Sequence, residues 1–299
     1  MTLDDPTLFT VAVCTRNRPA HLEETLAAVD RLDGGTVPVV VVDQSDDVDP
    51  QLAQRQASHR LDVVRDSGRG LSRARNLAWR QANSEWVAFL DDDCRPERDW
   101  AVELRRAIAA HPDVGLVSGE IVQGEYSAED YLPVSILHVP REQRLHGRWT
   151  LPWKVGIGAC TVVRRDVLVG LGGFDERLGA GVPDFPASED MDFNYRFTRS
   201  GGTALLTPRV RSVHDQWREA ADLAGHFDAY MTGWTGFAVK QIRCGDVAGG
   251  IWLWFWGAWD VARLFASAAR RRSPFRLKIA VRKLRALVTA TRRALRRSW

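Results

Sequence analysis

Cysteine is scarce in this chain and unpaired in pattern: Cys14, Cys94, Cys160 and Cys244 are scattered, with no CxxC between them. That excludes a disulfide framework and a Cys-rich structural zinc site, and reads as free thiols in a reducing compartment. Long hydrophobic runs are lacking too. The longest apolar window, Ala248 to Ala258, is too short to span a bilayer. The first residues, Met1-Thr2-Leu3-Asp4-Asp5, have neither a basic n-region nor an apolar h-region, so no signal peptide is expected. There is no GxGxxG and no GxxxxGK(S/T), which leaves a dinucleotide fold and a P-loop NTPase without support. Acid is missing from one end. Of 41 Lys and Arg, 13 fall from Val261 onward, where there is no Asp or Glu. The preceding residues therefore carry 28 basic and 38 acidic side chains, a net −10 hidden inside the overall +3. An acidic body with a basic tail reads as two parts with different jobs.

What is present is a globular composition, 45% hydrophobic and 26% charged over 299 residues, enough for a sizeable core. Leu8 to Cys14 reads as a buried strand, followed by the polar loop Thr15-Arg16-Asn17-Arg18-Pro19. His21 to Leu32 has helical apolar spacing at Leu22, Leu26, Val29 and Leu32. Val37 to Val42 is a second buried strand ending in Asp43, and Leu61 to Arg65 a short third. Ser72 to Ala82 reads as a helix capped near Leu71 or Ser72. Trp86 to Leu90 has the β-branched and aromatic content of another buried strand, and it ends in Asp91-Asp92-Asp93. Strands alternating with helices, each strand a continuous apolar run, imply a parallel sheet covered on both faces. Further on, Val114 to Ser118, Ala159 to Val163, Ala204 to Leu206 and Val210 to Val213 read as strands; Tyr126 to Trp153 carries no clear pattern. Ser188 with its acidic neighbours makes a good helix N-cap.

Three carboxylates at the mouth of a buried strand repel one another. A divalent cation such as Mg²⁺ or Mn²⁺ suits their hard oxygens; the plainer reading is a solvated acidic turn or a cap. In parallel sheets ligands bind at the carboxyl ends of the strands. Thr15 to Arg18, Asp43 to Ser45 and Asp91 to Asp93 all fall at such ends, which places a polar site on one edge of the sheet.

With Ser188-Glu189-Asp190 and His214 added, the chain resembles a family 2 glycosyltransferase of GT-A fold over roughly residues 8 to 218. The motifs that carry the likeness are Thr15-Arg16-Asn17-Arg18, Val42-Asp43, Gly70 through Asn76, Asp91-Asp92-Asp93, Gly172-Gly173-Phe174-Asp175, Glu189-Asp190 and His214. The step of 24 residues from Asp190 to His214 is similar to that of bacterial galactofuranosyltransferases. The Gln-x-x-Arg-Trp motif of processive synthases is absent, since Gln216-Trp217-Arg218 only mimics it. The resemblance implies a catalytic domain over 1–220 and a helical C-terminal region over 221–299. It implies an inverting, metal-dependent transfer from a UDP- or TDP-sugar to a glycan, lipid-linked or small-molecule hydroxyl. In it Asp93 and His214 ligate the metal, Asp91 contacts ribose or metal, and Asp92 lies nearby in the donor site. Asp190 is the base, with Glu189 orienting the acceptor or acting in its place. Thr15, Arg16 and Arg18 meet the nucleotide and Asp43 its base, accepting from the imide N–H of a pyrimidine. Arg73, Arg75 and Asn76 open a helix near ribose or diphosphate. Trp149 and Trp153 offer an apolar face to an acceptor sugar; core packing is the ordinary use of both.

Two other readings stand beside this one. A catalytically silent sugar-nucleotide or glycan-binding module is disfavoured because competent residues fill the metal, base and second-ligand positions. A nucleotidyltransferase would want a Gly-rich basic loop after the first strand, and Thr15 to Pro19 has no Gly. In the tail, Leu277, Val281, Leu284, Val288 and Leu295 fall on one helical stripe among many Lys and Arg. That reads as a basic amphipathic helix at an anionic membrane surface, helped by the aromatic run Trp252, Trp254, Phe255, Trp256 and Trp259. The alternative is a helical pair packed on the rest of the protein. No nucleic-acid motif is present. The expected location is cytoplasmic, peripheral on the inner membrane face.

Overall fold

The computed structural model describes residues 5, 7–57, 61–124, 131–133, 135–215, 217–219 and 223–299. Gln216 of the Gln-Trp-Arg mimic and residues 126–130 and 134 of the unassigned stretch lie outside them. The chain divides into two compact units, one built from 1–128, 133–174 and 193–217, the other from 129–132, 175–192 and 218–299.

In the first unit the strands are β1 (Phe9–Thr15), β2 (Val39–Asp43), β3 (Asp62–Arg65), β4 (Trp86–Asp91), β5 (Cys94–Pro96) and β6 (Leu116–Gln123). β8 (Gln143–Leu145), β9 (Cys160–Arg164) and β10 (Ala204–His214) follow, while the three-residue β7 (Tyr131–Pro133) and β11 (Trp217–Glu219) pair in a separate two-stranded sheet. The sheet order is β3-β2-β1-β4-β9-β6-β10-β5, with β8 also on β10. It is mixed, as an α/β sheet flanked by helices, and mostly parallel among β1, β2, β3 and β4. β9 runs antiparallel to both of its neighbours, a departure from the expected parallel pattern.

Helices α1 (Pro19–Val29), α2 (Pro50–Ala57), α3 (Leu71–Gln81) and α4 (Trp100–Ala110) follow strands in the first half; α5 (Pro152–Val155) and α6 (Arg165–Leu171) flank β9. Alternate residues of the strands feed two cores. Val11, Val13, Val41, Trp86, Ala88 and Leu90 pack with Leu22 and Leu26 of α1 and Trp100 and Leu104 of α4. Ala12, Val40, Val42, Val87 and Phe89 pack on the other face with Ala74 and Ala78 of α3 and with Phe193 and Phe197. Burial on both faces is why these strands are apolar without alternation.

Three local expectations are corrected. The cap of α3 is Gly70, with φ 119° and no side-chain cap bond, because the chain enters the helix through a conformation that favours glycine. Ala204–Leu206 and Val210–Val213 belong to one strand, β10, whose register against β6 slips between Thr207 and Arg211. At that slip the Val210 carbonyl lies 1.9 Å from where a Cβ of Gly119 would stand, so only glycine fits. Ser188, just before α7 (Glu189–Arg199), has φ 73°, not the extended backbone of a side-chain cap. Its carbonyl accepts from the Asp192 amide at 3.0 Å.

The second unit is dominated by α8 (Leu223–Arg243), α9 (Val247–Arg270) and α10 (Pro274–Arg296). Ser273 caps α10, accepting from the Arg276 amide, and Asp246 caps α9. Met231, Val261, Ala286 and Leu287 form the core between them. Among the described residues no helix is long and apolar enough to cross a membrane.

Candidate active site

The edge where the carboxyl ends meet follows from register. Thr15 stands opposite Asp43, and Cys14 opposite Asp91, because β1, β2 and β4 are adjacent and parallel. β9 is antiparallel to both β4 and β6, so β6 and its parallel partner β10 run in the direction of β4. β10 therefore ends at the same edge, with His214 opposite Cys94.

There the three aspartates diverge. Asp91 is part-exposed, and its Oδ1 accepts from Arg75 Nη2 at 3.0 Å. Asp92 is buried and accepts from Thr15 Oγ1 at 2.7 Å and Arg18 Nη1 at 2.5 Å. Burial pushes its carboxyl up to about 6, against the pull of Arg18 and Thr15. Asp93 has no side-chain exposure and accepts from Arg18 Nη2 at 2.7 Å. Its other oxygen lies 3.0 Å from His214 Nε2. Burial works to raise the Asp93 carboxyl, but His214 and Arg18 together outweigh it and hold it well below the usual range. For His214, burial works downward, yet the hydrogen bond and charge of Asp93 carry the imidazole upward.

His214 Nδ1 is 3.2 Å from the Ser135 carbonyl, which only accepts, so Nδ1 carries the hydrogen. Nε2 then faces a carboxylate, another pure acceptor. That contact is favourable only if the ring is doubly protonated or if a cation is shared, and a backbone partner on the far nitrogen is the usual support of a ligating histidine. A carboxylate oxygen and an imidazole nitrogen brought together without solvent exposure are a donor set that would suit a divalent cation such as Mn²⁺. The residues fit. Cys94 Sγ lies in the same cluster, but burial raises its thiol well above its ordinary value, and a soft, protonated sulfur suits neither Mg²⁺ nor Mn²⁺. Asp91, expected to share the metal, is not part of that cluster and is engaged by Arg75.

Beside the carboxylates a cavity of about 370 Å³ is lined by Thr15, Asn17, Asp43, Ser45 and Asp46. Asp43 is buried at its floor, accepting from the Ser45 amide at 2.8 Å and from Arg65. Arg16 pairs with Asp46 at the rim, at 3.3 Å. Arg65 had no signal in the sequence beyond lying at a strand end.

The remaining expected residues are spread more widely. Arg73 is exposed and pairs with Asp66 through two bonds of 2.9 Å. Asn76 is buried, and its amide binds the backbone of Phe174 in both directions, at 2.8 and 2.9 Å, and the Trp79 indole. In this structure it holds the Gly173-Phe174 turn, a role that the helix-opening position does not reveal. Arg75 is buried, bonded to Asp91 and to the Gly158 carbonyl, and does not sit solvated on the helix surface. Trp149 is exposed between the guanidinium groups of Arg148 and Arg199, both 5.3 Å from its ring, and Trp153 is half-buried. In the second unit, Glu189 is buried and Asp190 half-buried at the start of α7, where Asp190 Oδ1 accepts from the Met191 amide at 2.8 Å. Lys240, not singled out in the sequence, binds Asp175 and Asp192 at 2.7 Å each, and Gln241 also reaches Asp192.

The model of the family described as "Glycosyl transferase family 2" matches residues 10–172. The chain is 27% identical over 158 residues to the O-antigen biosynthesis protein RfbC of Myxococcus xanthus, covering 47% of this chain and 12% of that one. It is 26% identical over 226 residues to the pre-mycofactocin glycosyltransferase of Mycobacterium tuberculosis, covering 71% and 44%. The chain thus spans less than half the length of either relative. Among solved structures, mannosyltransferase PcManGT from Pyrobaculum calidifontis, in complex with GDP-Man and Mn²⁺, aligns with a TM-score of 0.60 at 20% identity, over 98% of this chain and 89% of that one. S. aureus TarS 1-349 in complex with UDP-GlcNAc aligns with a TM-score of 0.56 at 18% identity, over 78% and 66%. These likenesses are of fold.

Proposed function

Because the chain belongs to glycosyl transferase family 2, we propose that it moves a glycosyl group from a nucleotide-diphosphate sugar to an acceptor hydroxyl, with inversion. The observation that carries this is the meeting of Asp93 and His214 at the sheet edge, beside a cavity lined by Thr15 and Asp43.

In this reading Asp93 and His214 hold a divalent cation, which supplies Lewis-acid neutralisation of the leaving diphosphate. One imidazole among the ligands favours Mn²⁺ over Mg²⁺. Asp43 accepts the imide N–H of uracil or thymine; two oxygens offer about four acceptor positions, enough to keep its bonds to Ser45 and Arg65 as well. Arg18, Thr15 and Arg16 orient the nucleotide, with Asp91 and Asp92 alongside, and Arg75 keeps Asp91 in place. Asp190 takes the proton of the acceptor hydroxyl as its oxygen bonds to the anomeric carbon and the bond from that carbon to the diphosphate oxygen breaks. Glu189 orients the acceptor. One displacement with one base inverts the anomeric centre. Trp149 and Trp153 serve the acceptor side, where a glycan, a lipid-linked sugar or a small molecule presents the hydroxyl.

Thermal unfolding with UDP-, TDP- and GDP-sugars, each with and without Mn²⁺, tests the proposal. A donor at about 100 times its dissociation constant adds about 2.7 kcal/mol, which raises the midpoint by roughly 5–10 °C for a domain of this size. That rise is expected only with Mn²⁺ present and is erased by EDTA. Stabilisation by GDP-sugars alone would overturn the pyrimidine assignment, and no metal-dependent rise with any donor would sink the transferase reading.

A further inference from the structure

The C-terminal helix α10 has two apolar faces, and the bundle uses only one. Ile279, Ala280, Ala286, Leu287, Ala290 and Ala294 are buried, and the many alanines allow close packing within the second unit. The stripe conspicuous in the sequence is the other one. Leu277, Leu284, Val288 and Leu295 recur at steps of seven, four and seven along one side of the helix, and each is 40–50% exposed. From first to last they span about 27 Å.

The basic side chains divide in the same way. Those turned toward the bundle are neutralised within it: Arg282 pairs with Asp228 on α8, Lys283 with Asp260 on α9 at 2.7 Å, and Arg297 with Asp184. Lys278, Arg285, Arg292 and Arg296 are exposed and make no ion pair with any described residue. Three of them directly follow a stripe residue, which sets them a quarter-turn round the helix from it. Helix α9 carries a second outward row, Val247, Ile251, Phe255 and Trp259, at steps of four and 50–64% exposed.

We propose that the outer face of α10, with the leucine–valine stripe and the four unpaired cations beside it, is a docking surface for an anionic lipid membrane. The proposal is independent of the transferase reading. Leucines exposed along a helix cost solubility unless something apolar covers them, and a row of unneutralised cations calls for a partner of negative charge. A bilayer interface with acidic headgroups offers both at once, acyl chains beneath a plane of anions. Nucleic acid would match the cations and leave the stripe wet. A second copy of the chain would match the stripe and set like charges against each other.

The test is flotation of the full-length chain with vesicles of phosphatidylcholine, and of phosphatidylcholine with about a third phosphatidylglycerol. Binding is expected on the anionic vesicles and not on the neutral ones, weakening in about 0.5 M salt. A cation near such a surface is worth about a fivefold change in partitioning. Combining Lys278→Gln, Arg285→Gln, Arg292→Gln and Arg296→Gln should therefore reduce binding by about 100-fold or more. Leu284→Gln with Val288→Gln should reduce it by about tenfold. Both sets lie on an exposed face, so the melting temperature should be unchanged, and donor-dependent stabilisation is read on the same samples. Equal binding to both vesicle types, or undiminished binding of either variant, overturns the proposal. So do capture of duplex RNA or DNA in place of vesicles, and a dimer dispersed by Leu284→Gln in a chain that ignores vesicles.

Discussion

Asp91, Asp92 and Asp93 are chemically identical and consecutive, yet each ends in a different electrostatic setting. Arg75, 16 residues away, engages the first, while Arg18 holds the second and third from 74 and 75 residues away. His214, 121 residues on, takes the remaining oxygen of Asp93. The side-chain types put three carboxylates at one strand end from sequence alone, because only residue order is needed for that. Which aspartate is buried against which partner is a tertiary fact, and so is the use of Asn76 as a latch on Phe174. Asp190→Asn should lower turnover by about 10²–10⁴ and leave the stabilisation by donor and Mn²⁺ unchanged. A variant that turns over normally would move the base elsewhere, with Glu189 the first candidate.

Among the elements, α7 and α8 are joined by a buried polar cluster. Lys240 of α8 lies between Asp175 and Asp192, whose side chains are nearly or fully buried, and Gln241 adds a 2.9 Å bond to Asp192. Removing one partner leaves buried charge uncompensated. Lys240→Met should therefore cost about 3–5 kcal/mol in chemical denaturation, and a loss below about 1 kcal/mol would show that the pair is solvated. β6 and β10 touch closely at Gly119. Gly119→Ala would drive a Cβ into the Val210 carbonyl, and the resulting shift of strands should cost about 1–3 kcal/mol. The strands β1 to β4 and the helices α1 and α3 were readable from apolar runs and helical spacing, whereas α4 was not among the elements expected. The fusion of two short strand signals into β10 was not, since the break between them is a register slip that depends on the partner strand. The antiparallel course of β9 was hidden for a similar reason: a strand's own residues say how buried it is, not which way its neighbours run.

For the molecule as a whole, charge pairing sets the response to acid. Arg73 holds the Asp66 carboxyl down at about 2. At Asp175 and Asp260 burial works upward, but Arg177 with Lys240, and Lys283 with Arg263, outweigh it and leave both below the usual range. Groups depressed in the folded state stabilise fully above their unfolded value, about 4, and lose that contribution as pH falls toward the folded value. The melting temperature should thus fall below about pH 4. A midpoint that holds through about pH 3 would contradict this sign. The sequence by itself determined the α/β class, the edge on which the polar strand ends gather, and the split between an acidic body and a basic tail. Each of these follows from residue type and local period. Only the tertiary structure decided that residues 175–192 group with the C-terminal helices, that Cys94 lies beside Asp93 and His214, and that α10 packs through its alanines while its leucine stripe faces out. The physical reason is common to all three. Periodicity defines the faces of an element, but which face is covered depends on the volume and charge of segments far away in the chain.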